Sequence, residues 1–394
     1  MVRTRFIAVT GSYGKSTSTK CLAAILASRF PINWSASTNN ARSALAQSLL
    51  RTRFRHRFAV IEVGTKLPGA LHRASLQIDP DIAVVLAVGY QHTNAFPNLE
   101  AMAREKASLL RGIGRRRIAV LNGDDPYVRA MADKCKGRVF LFGRSPEYDV
   151  WASDVSSCWP GRLRFTAHAG SQSVEIETQL AGEHWLPAVL GAICCAVAAG
   201  VPLEACAAPL RTVEPALGRL SVHPLPSGVT VIRDEHNASM SVVRPALDVL
   251  RAVRTGRRAV VMGDVFDTPL NRRDRFTELG RLAAESADIA VFIGQKTNVP
   301  VAAAVEAGMT EGLARSFKRI EDAAEWLRSV LQPGDVVLVR ARGEFHMERI
   351  YFGLLGTAGC RLSRCSIHQP CDFCEHLHFS MDLIPPSAIK AAAE

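Results

Sequence analysis

Short apolar runs alternate with longer amphipathic stretches over most of the chain. Phe6-Ile7-Ala8-Val9, Phe58-Ala59-Val60-Ile61, Ile82-Ala83-Val84-Val85-Leu86 and Ile118-Ala119-Val120-Leu121 are apolar throughout rather than at every second position. That is the pattern of parallel strands covered on both faces. Residues 18–28, 40–51 and 99–110 read as helices between them. A doubly wound α/β sheet follows, with ligands expected at the carboxyl ends of its strands. Over residues 149–180 the pattern shortens and alternates, as in Ser173-Val174-Glu175-Ile176-Glu177, which predicts an antiparallel addition. Strands at 229–232, 259–262, 289–293 and 336–339, with helices at 242–253, 275–286 and 322–331, then predict a second, Rossmann-like unit. The expected domains are 1–213, an ATP-binding α/β unit; 214–356, the Rossmann-like unit; and 357–394, a Cys/His-rich tail.

Composition adds limits. The longest uncharged run, 185–203, holds Pro187, Gly191, Gly200 and Pro202 and is marginal in length for a membrane span, so a buried helix is expected there and no span. The first strand begins almost at once, so no signal peptide is expected and the location reads as cytoplasmic. Net charge is 48 − 37 = +11. Most of that excess reads as a solvated arginine-rich surface, and part as the lining of a site for phosphates and carboxylates. Arg115-Arg116-Arg117 and the arginines of 51–57 are dense, but no pattern of basic and aromatic residues along the chain suggests nucleic-acid binding, so no such partner is expected. Cys21, Cys135, Cys158, Cys194, Cys195 and Cys206 show no pairing pattern and read as small core residues in a reducing compartment.

Thr10-Gly11-Ser12-Tyr13-Gly14-Lys15-Ser16-Thr17 joins the first strand to the first helix. Strand, glycine turn, Lys-Ser and helix is the layout of a phosphate-binding loop. Gly11 and Gly14 let backbone N–H groups close around an anion, the helix N-terminus adds positive potential, Lys15 supplies a point charge and the Ser16 hydroxyl can hold Mg²⁺. Two residues separate the glycines, where the common loop has four.

The shortened loop resembles that of the Mur ligase family, which includes the peptidoglycan amino-acid ligases, and within it most resembles the branch that adds D-alanyl-D-alanine. Further segments follow in the family's order from residue 6 to about residue 352. The resemblance implies an ATP-dependent carboxylate–amine ligase that works through an acyl phosphate and releases ADP and phosphate. Gly11, Ser12, Gly14, Lys15, Ser16 and Thr17 become the expected phosphate contacts. Glu62, in Ile61-Glu62-Val63-Gly64, resembles a family glutamate that binds Mg²⁺ beside Ser16. His92 resembles the ligand of a second Mg²⁺, and Lys106 a lysine carbamylated by CO₂.

Asn39 and Asn40 resemble a substrate-facing loop, and Thr38 or Asn39 equally suits a helix N-cap. Arg219, in Gly218-Arg219-Leu220, resembles an arginine that reaches the γ-phosphate when the domains close. Asp234, His236 and Asn237 resemble ribose and adenine contacts, although Arg233 stands where the family carries aspartate. Trp185 replaces an adenine-facing asparagine and is expected to stack on the base instead. Arg342 falls in a strand-and-helix segment expected to face substrate.

The phosphate loop starts at residue 10, so the family's UDP-sugar-binding domain is not expected ahead of it. UDP-linked muramoyl peptides are therefore expected to be poor substrates, and the carboxylate to be small or carried by a partner protein. Elongation of a poly-amino acid, as in poly-γ-glutamate or cyanophycin synthesis, is one alternative. A nucleotide-binding protein that has lost ligation is another, given Arg233 and Trp185.

The tail carries Cys360, Cys365, Cys371 and Cys374, with His368, His376 and His378 nearby. Thiols so closely spaced in a reducing compartment read as metal ligands before disulfides. A tetrahedral four-thiolate zinc site is the leading expectation; an iron–sulfur cluster or a Cys₃His zinc site is the alternative.

Overall fold

The computed structural model describes residues 3–35, 42–236, 239–357, 359–360, 362, 365, 367 and 369–378. The expected contacts Asn39, Asn40 and Asn237 and the tail residue His368 lie outside them, and the side chains of His376 and His378 are not described. The chain divides into two compact units, Met1–Pro215 and Ala216–Glu394.

The strands of the first unit are β1 (Arg5–Thr10), β2 (Ile32–Trp34), β3 (Phe58–Glu62), β4 (Ile82–Val85), β5 (Ile118–Asn122), β6 (Arg138–Gly143), β7 (Val150–Ser156), β8 (Arg164–Ala169) and β9 (Gln172–Glu177). They lie in the order β2-β3-β1-β4-β5-β6-β7-β8-β9. Pairing is parallel from β2 to β7 and antiparallel from β7 to β9. Every position of β3 and β4 is buried, as their unbroken apolar runs require. Helices α1 (Lys15–Ala27), α2 (Arg42–Arg51), α3 (Ala70–Ile78), α4 (Leu99–Ala107), α5 (Pro126–Arg129), α6 (Leu186–Ala198) and α7 (Ala207–Leu210) complete the unit. The chain leaves β1 toward β2 and β3 on one side and returns to β4 on the other. The carboxyl ends of β1 and β4 are therefore the point where the winding reverses, which is where open α/β sheets bind ligands.

The second sheet runs β10 (Ser221–Pro224), β11 (Thr230–Asp234), β15 (Val336–Arg340), β12 (Arg258–Met262), β13 (Ile289–Ile293), β14 (Ala314–Phe317). Only the β10–β11 pair is antiparallel. Helices α8 (Val243–Arg251), α9 (Arg272–Ser286), α10 (Asn298–Glu306), α11 (Ile320–Val330) and α12 (Glu348–Leu355) flank it. Val231, Val261, Val291 and Val337, one from each of four strands, meet Ala323 and Leu327 of α11 in one buried cluster. The molecule is thus an α/β protein with two mixed sheets.

The expected buried helix at 185–203 is α6, whose residues from Ala188 to Ala196 are all buried. Among the described residues no helix is long and apolar enough to cross a membrane. Gly191 lets α6 press onto the end of β4: a Cβ there would lie 2.7 Å from Leu86 Cδ2 and 2.9 Å from Phe142 Cζ. Gly191→Val should therefore lower the unfolding free energy by about 1–3 kcal/mol through overpacking. Urea denaturation measures this, and an unchanged midpoint would refute the packing account.

Candidate functional site

The turn between β1 and α1 is held before any ligand arrives. Ser12 braces it against the segment after β4: its Oγ donates to Gly89 O at 3.0 Å and accepts from Gly89 N at 2.9 Å, and its N–H donates to Ala87 O at 2.9 Å. Gly14, in the left-handed region at φ 79°, is the N-cap of α1. The cap makes no side-chain hydrogen bond, and the first turn carries no acidic residue. The N–H groups of that turn and the helix dipole thus face the turn without an anionic side chain. Lys15 is buried, and its Nζ donates to Gly11 O at 2.8 Å. Ser16 is half-buried and Thr17 buried in the same turn.

Three more expected residues lie on neighbouring segments. Glu62, buried, is the last residue of β3. His92 follows β4 with φ 51°, and its carbonyl accepts from Ala95 N and Phe96 N, closing a turn over buried Phe96. Lys106 lies on α4 with 1% of its surface exposed. Burial, then the Lys15 charge, pulls its ammonium well below the ordinary lysine value, against the pull of Glu105 and Asp125. A buried amine held toward its neutral form is the nucleophilic form of lysine.

Two carboxylates not singled out in the sequence hold this arrangement. Glu105 accepts from Gly69 N at 2.7 Å and Leu71 N at 2.9 Å, capping α3 from across the fold. Asp125 caps α5 by accepting from Tyr127 N and Val128 N, and its other oxygen accepts from Val88 N at 2.8 Å. The signal for Asp125 was present: Asn122-Gly123-Asp124-Asp125-Pro126 follows a strand, and an acidic residue before proline is a helix-start pattern.

Trp185 is 6% exposed, and its indole Nε1 has no hydrogen-bond partner among the described residues. Its neighbours Glu183 and His184, not Trp185 itself, line a cleft of about 200 Å³ with Asn122, Asp124, Phe142 and Arg144. For an aromatic contact to a base, His184 is thus the better-placed ring.

In the second unit, Gly218 has φ 67° and packs on His236 so closely that an added Cβ would run into the imidazole. The His236 N–H donates to Gly218 O at 3.1 Å, which ties the Gly218-Arg219 turn to the end of β11. Burial and the charges of half-buried Arg219 and of Arg233 pull His236 down to about 4. Asp234 is 1% exposed and paired with buried Arg340 of β15; burial pushes it up to about 6, against Arg340 and Arg219. Arg342 lies 4.5 Å over the Phe266 ring and pairs with Glu344 at 3.1 Å.

Arg233 is 1% exposed. Its Nε donates to Glu235 Oε1 at 2.6 Å, and its two Nη groups donate to the tail's Asp372 at 2.6 and 2.8 Å. It also lies 4.9 Å from the Tyr351 ring centroid. Cys360, Cys365, Cys371 and Cys374 all line one cavity of about 20 Å³, shared with His346. The ligand-type atoms that converge there are a different set: those of His346, Glu348 and Cys371 lie within 4.8 Å of one another.

Residues 9–196 match the Mur ligase middle domain, and residues 218–343 match the Mur ligase, glutamate ligase domain. The UDP-N-acetylmuramoyl-tripeptide--D-alanyl-D-alanine ligase of Mycobacterium bovis is 31% identical over 355 residues, 85% of this chain and 70% of that protein. The enzyme of the same name from Bacillus subtilis is 23% identical over 353 residues, 89% and 76% of the two chains. The crystal structure of MurF from Acinetobacter baumannii is similar with TM-score 0.81 and 26% identity, over 90% of this chain and 77% of its own. The MurF ligase of Thermotoga maritima in complex with ADP shares the fold, with TM-score 0.78 at 21% identity over 89% and 80% of the chains. Nothing among these relatives supports the polymer-elongating or binding-only alternatives.

The state of Lys106 is testable without substrate. Its folded pKa lies below its unfolded one, so folding strips or strains a proton that the unfolded chain keeps. That cost is present below the ordinary value of 10.5 and fades as pH rises toward it. Lys106→Met should raise ligand-free stability near pH 7 in CO₂-free buffer, with the gain narrowing toward pH 10. Urea unfolding across that range checks this; a variant less stable than wild type at pH 7 would sink it.

Proposed function

Because this chain belongs to the Mur ligase family and is an ATP-dependent amide-bond-forming ligase, we propose that it joins the terminal carboxylate of a muramoyl-type peptide to the amine of a D-alanyl-D-alanine-type dipeptide in the cytoplasm. The observation that carries the site assignment is the meeting of an uncapped helix N-terminus with buried Lys15 where the sheet reverses its winding. The acceptor class is supported by the 31% identity to a ligase named for it.

In this reading the turn from Gly11 to Thr17 holds the ATP phosphates. Gly14 allows the left-handed turn and Lys15 neutralises phosphate charge. ATP supplies the phosphoryl group that activates the carboxylate as an acyl phosphate. The buried carboxylate of Glu62 and the Ser16 hydroxyl are hard oxygen donors that suit Mg²⁺, and His92 would complete a second site. Lys106 reacts as the free, neutral amine: its nitrogen adds to the carbon of CO₂, one proton leaves to solvent, and the neutral amine becomes an anionic carbamate. Arg219, Asp234 and His236 serve the nucleotide from the second unit, with His236 neutral at pH 7 and able to accept a hydrogen bond. Arg342 is assigned to substrate. The tail holds one zinc ion.

Two measurements test this. ADP release should require both D-alanyl-D-alanine and a donor peptide, offered either free or as the UDP-N-acetylmuramoyl tripeptide. Lys15→Ala should cut turnover by about 10²–10³-fold or more, since one preorganised charge at the reacting group is worth that much. ADP release indifferent to the acceptor would remove the ligase assignment. Lys106→Ala should also be slow and partly rescued by formate or acetate, and wild type in carbon-13 bicarbonate should show a carbamate resonance that the variant lacks. No rescue and no resonance would remove the carbamate.

A further inference from the structure

Glu348 opens α12 with no accessible side-chain surface, and neither carboxylate oxygen makes a hydrogen bond of ordinary geometry. A buried carboxylate left so is costly. The hydrogen bonds of the adjacent Arg233 go to Glu235 and Asp372 and not to Glu348. His236 Nε2, 3.6 Å away, is itself buried without a hydrogen bond. Beside Glu348 stand an imidazole and a thiol. His346 is 5% exposed, held in the left-handed region at φ 51°, and its Nδ1 lies 3.5 Å from Cys371 Sγ.

That spacing has a meaning for metal binding. With zinc–sulfur and zinc–nitrogen bonds of about 2.3 and 2.0–2.1 Å at a tetrahedral angle, the two ligand atoms lie about 3.6 Å apart. A carboxylate within 4.8 Å of both needs only a side-chain adjustment to become the third. The mixed nitrogen, sulfur and oxygen set suits Zn²⁺ over Mg²⁺, which takes oxygen.

We propose a zinc site that joins the ligase unit to the tail, with His346 Nδ1, Cys371 Sγ and a Glu348 oxygen as ligands and the fourth position turned to the thiol-lined cavity. This rests on the reading of the tail as metal-bound and changes its ligand set: two ligands come from outside the tail. The ion brings positive charge into direct contact with buried Glu348. It also fixes Cys371, and with it the neighbouring Asp372 that clamps Arg233.

The full-length protein, His346→Gln, Cys371→Ser and Cys365→Ser should be purified without chelator and their zinc measured by elemental analysis. Melting with and without added Zn²⁺ should be followed alongside. Wild type should hold about one zinc per chain and melt higher when zinc is present. His346→Gln and Cys371→Ser should lose stoichiometric zinc and the zinc-dependent rise in melting temperature, while Cys365→Ser keeps both. Circular dichroism matching wild type shows that a variant is folded, and Glu348→Gln, which removes the charge at nearly constant shape, gives an independent loss if either variant is not. Full zinc in His346→Gln with loss in Cys365→Ser would restore the four-thiolate site and overturn this one. Wild type that neither contains nor binds zinc, or that carries an iron–sulfur chromophore, would overturn the zinc reading of the tail as well.

Discussion

Two lysines buried close enough for the charge of one to depress the other are the constraint around which the first unit is arranged. Like charges in a poorly solvated pocket cannot both persist without an anion. The carboxylates that pull on Lys106 also serve the scaffold: Glu105 caps α3, and Asp125 caps α5 while holding the backbone after β4. Lys15 donates to a carbonyl of its own turn. Positive potential is thus preserved at the end of β1, where the uncapped first turn of α1 adds to it. Under the proposed reading, that potential suits an anion brought from outside, and phosphate is the anion an ATP-dependent ligase must bind.

The sequence made the frame of this arrangement legible because the frame depends on local pattern. Unbroken runs such as Ile82-Ala83-Val84-Val85-Leu86 can be satisfied only in a strand covered on both faces, and the strand–glycine–Lys-Ser–helix order fixes its own geometry. Elements with weak patterns escaped. β14 has only Ala314 fully buried, so its four residues carry no strand signature. β2 has no fully buried residue at all. Residue roles were less legible than elements wherever a role depends on long-range contacts. Glu105 beside Lys106 gave no hint that it reaches α3, because its partners lie 34 to 36 positions earlier. Trp185 fell at a promising position by resemblance, yet burial depends on how α6 seats, and there the neighbouring His184 faces the cleft.

The departure at Arg233 makes a related point. Read along the chain, an arginine in place of an acid looks like a lost nucleotide contact. In the fold, β11 sends successive side chains to opposite faces. Asp234 meets Arg340 on one face, and Arg233 is buried on the other against Tyr351 of α12. A buried arginine that lost its acid partners would cost about 3–5 kcal/mol. Glu235 supplies one partner from the same segment and Asp372, 139 positions later, the other. Arg233 of β11 and the residues after α12 are therefore two parts of one charge balance.

That balance bears on what the tail is for. A segment without a core of its own needs an anchor, and the Arg233–Asp372 pair provides a directional one, bidentate and with the guanidinium buried. The same few residues bring Cys371 against His346 and Glu348. His346, Glu348 and His236 all belong to segments that the ligase unit uses at the end of its sheet. A tail anchored there cannot loosen without exposing Arg233 and shifting the acids around it. Order in the tail and order at the end of β11 are thus linked through shared charges, and a cation bound between them would strengthen both together.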